Sequence, residues 1–206
     1  MSVGAHEPLP ESFFYYRLGA GVLDWGDAQF DGLPGSVETD AEFEGVGLFS
    51  TFVIGQRWAS WATEGPASRL GIRWEVEGVF AFQDYERFST TSGGSVGDGE
   101  LFEYGVAYNI MPDVKLGPVS VFAGGGIGAS IFTFSDSTSN PFDESRGALM
   151  LQVLGGVSVD VTPLTSIYGT VRYRTYSDVI FRDEGSRLEI EDLDGVAFEA
   201  GLLFRF

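Results

Sequence analysis

The chain has no cysteine and a single histidine, His6, in its 206 residues. Without thiols, neither a disulfide framework nor a thiolate metal site can be built. One histidine in a proline-flanked tail leaves no base for a Ser-His-Asp triad and no histidine-based metal centre. Lysine is nearly absent too: Lys115 is the only one, and Lys+Arg number 12 against 30 Asp+Glu, a formal net charge of −18. That imbalance disfavours nucleic acid and anionic polysaccharide as partners. No stretch approaches the ~18 consecutive apolar residues of a transmembrane helix. Strands, however, cross a bilayer with only ~9–11 residues each, so the membrane stays open as a location. No phosphate loop or dinucleotide fingerprint is present, since Gly124-Gly-Gly-Ile-Gly128 lies inside a strand pattern, and no cofactor is expected. The N-terminus lacks a basic segment followed by an apolar one. Val3-Gly4-Ala5 resembles the small-residue end of a cleavage site, and the expectation is that a signal peptide has been removed.

What is present points to strands. Gly 29, 15% aromatics and only 20% charged residues suit many short strands joined by tight turns. Eight alternating segments run over about 12–24, 42–55, 69–84, 100–110, 118–134, 146–160, 166–177 and 195–206. The connections alternate in length. Long ones, rich in Gly, Ser, Thr and Asp, cover 25–41, 85–99, 135–145 and 178–194. Shorter ones cover 56–68, Met111–Gly117 and Val161–Thr165, each containing proline. The resulting fold class is all-β, an eight-stranded antiparallel up-and-down transmembrane β-barrel over 12–206, with 1–11 as an N-terminal tail. Both termini fall on the short-turn side.

The closing segment shows the alternation best. Val196, Phe198, Ala200, Leu202, Phe204 and Phe206 share one face; Ala197, Glu199, Gly201, Leu203 and Arg205 share the other. Leu70, Ile72, Trp74, Val76, Phe80 and Phe82 likewise oppose Gly71, Arg73, Glu75 and Glu77. In the second segment both faces are half apolar, and its orientation stays unassigned. Aromatics gather near strand ends: Phe14, Tyr16, Trp58, Trp61, Tyr108 and Phe206 at one end, Trp25, Phe82, Tyr85, Phe132 and Phe134 at the other. Two girdles at interface height account for that. A soluble lipocalin-like barrel would invert the faces. Its surface would then be the glycine-rich face with few charges, whereas soluble surfaces carry many more.

Three stretches carry a family resemblance. Leu116-Gly-Pro-Val-Ser-Val-Phe-Ala-Gly-Gly-Gly-Ile-Gly128, Val161-Thr-Pro-Leu-Thr-Ser-Ile-Tyr-Gly-Thr-Val-Arg-Tyr-Arg174 and the closing strand 195–206 resemble small outer-membrane barrels of the OmpA, OmpX and opacity-protein type. The resemblance implies a bacterial outer-membrane location, extracellular long loops, periplasmic termini, and lipid and lipopolysaccharide as surroundings. It also implies that Phe204 and Phe206 belong to a signal read by the barrel-assembly machinery. It is specific for architecture only, because such barrels include adhesins, anchors and small pores.

On that topology the charge separates. The long connections with their flanks (24–44, 84–100, 135–146, 178–194) hold 21 acidic and 4 basic residues, net −17. The lumen face holds Arg17, Arg73, Arg172, Arg174 and Arg205 against Glu75, Glu77, Glu103 and Glu199, net +1. An eight-stranded interior is about wide enough for side chains to fill. These nine residues are therefore read as an ion-pair network, since an unpaired buried charge costs several kcal/mol. Glu75 and Glu77 on one face invite an acid/base pair, but beside five arginines they read as salt-bridge partners. Lumenal glycines (Gly19, Gly21, Gly71, Gly105, Gly124, Gly126, Gly128, Gly201) leave room for a narrow water path or relieve wall curvature. The acidic rim reads as solvated charge, as recognition of a basic partner, or as a divalent-cation site at Glu189, Glu191, Asp192 and Asp194, which lack the spacing of a calcium loop. The functional expectation is a non-enzymatic envelope-structural or surface-contact protein acting through acidic extracellular loops. The alternative is a narrow passive pore, or a path for small hydrophobic compounds through the wall.

Overall fold

The computed structural model describes residues 12–26, 28–31, 39–41, 45–59, 70–85, 99–136, 145–183, 186–191 and 193–206. In chain order the strands are β1 (Phe13–Trp25), β2 (Ala28–Asp31), β3 (Thr39–Ala41), β4 (Gly47–Ala59), β5 (Leu70–Tyr85) and β6 (Gly99–Leu116). They continue as β7 (Val119–Asp136), β8 (Ser145–Asp160), β9 (Thr165–Tyr176), β10 (Val179–Asp183), β11 (Ser186–Glu191) and β12 (Asp194–Arg205). Eight of them close a barrel in the order β1-β12-β9-β8-β7-β6-β5-β4, every neighbour antiparallel.

The register fixes the shape. Tyr15 pairs with Gly55, and the row continues through Glu75, Asn109, Gly126, Gln152, Arg174 and Gly195 to Trp25. One circuit thus returns to β1 ten residues further on, a shear of ten. With ~3.3 Å per residue and eight strands, that shear tilts each strand roughly 40–45° from the axis.

Alternation sorts side chains by chemistry. Outward positions include Leu149, Val153, Ile127 and Phe198, all more than half exposed. Inward positions include Arg17, Glu75, Glu77, Glu103, Asn109 and Arg174, all at 0% exposure. So much contiguous apolar surface is not sustained in water; it is the wall of a membrane-spanning barrel. The polar-outside alternative is excluded by the same sorting. Even β4 resolves: Phe49, Thr51, Val53 and Arg57 face the lumen, and Leu48, Phe52, Ile54 and Trp58 face outward.

Several boundaries differ from the sequence expectation. The second strand runs Gly47–Ala59 rather than 42–55. The second short connection is expected to span Met111–Gly117, yet β6 continues to Leu116 and pairs with Val119 across Gly117-Pro118. Gly117 has φ 66°, and a positive φ at the first central position with proline next is the type II′ geometry that matches strand twist. Pro112 misled the reading. It sits within the strand, where the β6–β7 ladder omits Met111 and Pro112 and resumes at Asp113–Phe122 in unchanged register. The first and fourth long connections, expected to be loops, contain β2, β3, β10 and β11, which form a four-stranded sheet in the order β10-β11-β2-β3. Residues 1–11, Trp61 and Asp192 lie outside the described residues.

Candidate functional site: the lumen

Each of the nine sequence-selected lumen residues lies inside the barrel, and each is buried. They fall into three groups of contacts. In the first, Arg17 Nη2 donates to Glu75 Oε2 at 2.7 Å, the Tyr15 hydroxyl donates to Glu75 Oε1 at 2.6 Å, and the Arg17 guanidinium lies 4.6 Å from the Tyr168 ring centre.

The second group is the largest. Arg172 Nη1 donates to Glu77 Oε1 at 2.5 Å, and Arg172 Nη2 donates to Glu199 Oε2. Glu199 Oε1 also accepts from the Thr51 and Tyr168 hydroxyls. Arg174 reaches Glu77 Oε1 at 3.0 Å, Glu103 Oε2 at 3.5 Å and Gln152 Oε1 at 3.1 Å. Gln152 donates on to Asn109, and Asn109 donates to Glu77. Ser130 and Tyr176 hydroxyls donate to Glu103 Oε1 at 2.6 and 2.9 Å. Both arginines also stack near Phe49, at 4.5 and 4.9 Å from its ring centre. β5 and β9 stand four places apart in the eight-membered ring, on opposite walls, so the Glu77–Arg172 and Glu77–Arg174 bridges cross the whole lumen.

The third group lies at the short-turn end, and the sequence reading found only part of it. Arg205 pairs with Asp160, which also receives Lys115 Nζ at 3.0 Å and the Ser166 hydroxyl at 2.8 Å. Arg57 Nε donates to Asp113 Oδ2 at 2.8 Å, with Arg73 at 3.5 Å from the same oxygen. Arg57, Asp113 and Lys115 fall in the short connections expected at 56–68 and 111–117, and Asp160 at the end of the segment 146–160. Parity along β6 already aligned Asp113 and Lys115 with Glu103 and Asn109, and that signal was lost once a turn was assigned to 111–117.

Above the network, at the long-connection end, the lumen is apolar. Leu23, Trp25, Phe49, Leu101, Phe132, Tyr176, Val179 and Leu193 belong to one buried cluster. Phe132 meets Tyr176 edge-on at 5.0 Å and lies 6.2 Å from Trp25. Gln83 fastens this layer, accepting from the Trp25 backbone N–H at 3.1 Å and donating to Gly45 O at 3.0 Å. Trp25 and Phe132 therefore belong to a plug, which corrects their assignment to a girdle. Phe14, Tyr16, Trp58, Tyr108 and Phe206 do face outward.

Several lumenal glycines lie against side chains of neighbouring strands. A Cβ on Gly19 would collide with the Glu199 carboxylate and the Tyr168 hydroxyl, one on Gly126 with the Asn109 side chain, and one on Gly71 would lie 2.6 Å from Arg57 Nη2. At these three positions polar side chains from neighbouring strands occupy the space that the missing Cβ atoms vacate.

Chemically, this arrangement holds charge rather than transferring protons. Every described lumenal carboxylate accepts from at least one guanidinium, including Glu75 and Glu77. At the rim, Asp194 accepts from the Tyr173 hydroxyl at 2.5 Å, and Glu189 and Glu191 contribute backbone to β11. Among the described residues no group of Asp, Glu or His is placed to hold a metal. At the chain end, Phe206 N–H donates to Phe14 O at 3.1 Å, and Phe204 stacks on Tyr16 with ring centres 5.0 Å apart.

The fold is that of small outer-membrane β-barrels. Among solved structures it is similar to Neisserial surface protein A, with a TM-score of 0.54 at 16% identity over 94% of this chain and 97% of that one. It is similar also to the outer membrane protein OprG from Pseudomonas aeruginosa, with a TM-score of 0.56 at 13% identity over 94% and 95%. The outer membrane protease OmpT from Escherichia coli matches with a TM-score of 0.50 at 10% identity over 94% and 97%. At such identities the likeness extends to the fold alone. No protein-family model matches the chain, nor does any curated protein sequence.

Proposed function

We propose that this chain is a non-enzymatic barrel of the bacterial outer membrane, an envelope-structural or surface-contact protein that acts through its acidic long connections. In this reading the long connections are extracellular and both termini periplasmic. Lipid and lipopolysaccharide surround the wall, the barrel-assembly machinery reads the end at Phe204 and Phe206, and divalent cations gather at the acidic rim. One observation carries the reading: bridges from Glu77 to Arg172 and Arg174 span opposite walls beneath an apolar plug. A barrel so filled offers no path through its centre, which leaves the surface connections as the part free to act. No described lumenal carboxylate is free for acid/base chemistry, and this supports the non-enzymatic reading.

The test is single-channel recording of the refolded protein in a planar bilayer, with Arg73→Ala alongside. Insertion without conductance is the expected result for both chains. Stable small steps that Arg73→Ala alters would overturn the proposal and make the lumen a transport path.

A further inference from the structure

The outer wall bears a groove that neither the lumen nor the acidic connections use. About 510 Å³ in volume, it is lined by Trp58, Leu70, Ile72, Pro112, Val114 and Val121, from β4, β5, β6 and β7 near the short-turn end. That volume lies within the ~300–1,000 Å³ of ordinary small-molecule sites. The lumen-facing positions Gly71, Asp113 and Phe122 also line it, so the groove cuts into the thickness of the wall. It coincides with the interrupted β6–β7 ladder, where Pro112 has no N–H to give.

We propose that this groove seats one acyl chain of a membrane phospholipid. Three observations select that occupant. First, the groove is continuous with the apolar belt: Leu116, Val161 and Leu164, nearer the turns, are still apolar and exposed, so hydrocarbon surrounds the groove. Second, it offers no free charge. Asp113 is its only titratable residue, and that carboxylate is held by Arg57 and Arg73. Third, the groove is a seat and not a gate. A Cβ on Gly124 would run into Ile110 O and lie 2.7 Å from Met111 Cα, so the strands stay in contact where the ladder bonds are missing. Trp58, at the end of β4, has the amphipathic ring that suits the level at which a chain meets its headgroup.

The test leaves Trp58 as sole tryptophan, with Trp25, Trp61 and Trp74 changed to Phe. The full chain, refolded in detergent and checked by gel mobility, is titrated with phosphatidylcholine brominated on its acyl chains. Saturable one-site quenching is expected, with the midpoint raised at least about tenfold by the groove-filling Ala123→Phe or, should that variant not fold, Val121→Phe. A second reporter, Phe198→Trp on the far wall of a chain without other tryptophan, should be quenched only in proportion to bulk lipid. Quenching of Trp58 that merely tracks bulk lipid would overturn the proposal. So would tighter saturation by brominated free fatty acid than by the phospholipid, or indifference to the filling substitutions.

Discussion

Arg172→Met separates a dry, ion-paired lumen from a wet one by magnitude alone. Arg172 is fully buried and bridges Glu77 and Glu199, both fully buried at the pairing atoms. Methionine keeps much of the side-chain bulk and removes the charge. Afterwards Glu77 retains Arg174 and Asn109, but Glu199 retains only the hydroxyls of Thr51, Tyr168 and Thr170 as hydrogen-bond donors. One guanidinium would then face three carboxylates in this group. Removing one partner of a buried pair costs about 3–5 kcal/mol, because the other charge stays buried and uncompensated. The assay is urea unfolding of the barrel refolded in vesicles, followed by tryptophan fluorescence. With a slope near ~3 kcal/mol/M, the midpoint should fall by roughly 1–1.7 M. Adding Glu199→Gln should restore at least ~2 kcal/mol, since the stranded charge is then gone. A loss below ~1 kcal/mol from Arg172→Met alone is the size of a solvent-exposed pair. That outcome would refute the reasoning: water would have to fill the lumen and screen the bridge.

Other substitutions probe the wall, the plug and the chain end. Gly124→Ala puts a Cβ into the Ile110 carbonyl and should cost about 1–3 kcal/mol by urea midpoint, whereas Gly169→Ala, whose Cβ meets nothing nearer than Glu199 O at 3.8 Å, should stay within ~0.5 kcal/mol. Phe132→Ala should lose about 3–5 kcal/mol through the cavity it leaves in the plug, yet the barrel should remain non-conducting because the Glu77 bridges lie beneath; ion steps in single-channel recording would show that the plug alone makes the seal. Phe206 is 72% exposed, so Phe206→Ala should leave the urea midpoint within ~0.5 kcal/mol while slowing insertion into liposomes that carry the assembly machinery; equal insertion rates would remove Phe206 from any recognition signal.

Period two was enough to place the nine charged lumen residues, because one misassigned parity would have put an arginine into hydrocarbon. It was not enough where a local signal competed. Pro112 reads as a turn residue, and calling 111–117 a turn hid Asp113 and Lys115, although both keep the parity of Glu103 and Asn109. Trp25 and Phe132 were placed by type, as aromatics near strand ends, when parity already set Trp25 with Arg17 and Phe132 with Gly124 to Gly128. β4 was ambiguous for a physical reason: its lumen face carries the apolar Phe49, which belongs to the plug, and Val53, in register with Glu77. The sheet formed by β10, β11, β2 and β3 joins connections more than a hundred residues apart, and nothing in either segment's composition announces that pairing.

How the lumen closes follows from wall geometry and side-chain length together. Eight strands at a shear of ten enclose a width that a guanidinium can cross only if the wall near its path carries little bulk. That complementarity is present: glycines at 19, 105, 126 and 128 lie where Glu199, Ser130, Asn109 and Met150 extend inward, and Arg172 and Arg174 reach Glu77 on the far wall. Alanines at the glycine positions with shorter charged residues would give a similar average polarity with a channel left down the middle. At Gly19, Gly105 and Gly126 the missing Cβ makes room for a neighbouring side chain, so glycine at these positions is no argument for a pore. The same filling makes the interior an unpromising binding site, because any ligand would have to displace a satisfied ion pair and leave a buried charge behind. The groove in the wall near the short-turn end lies outside that filled interior.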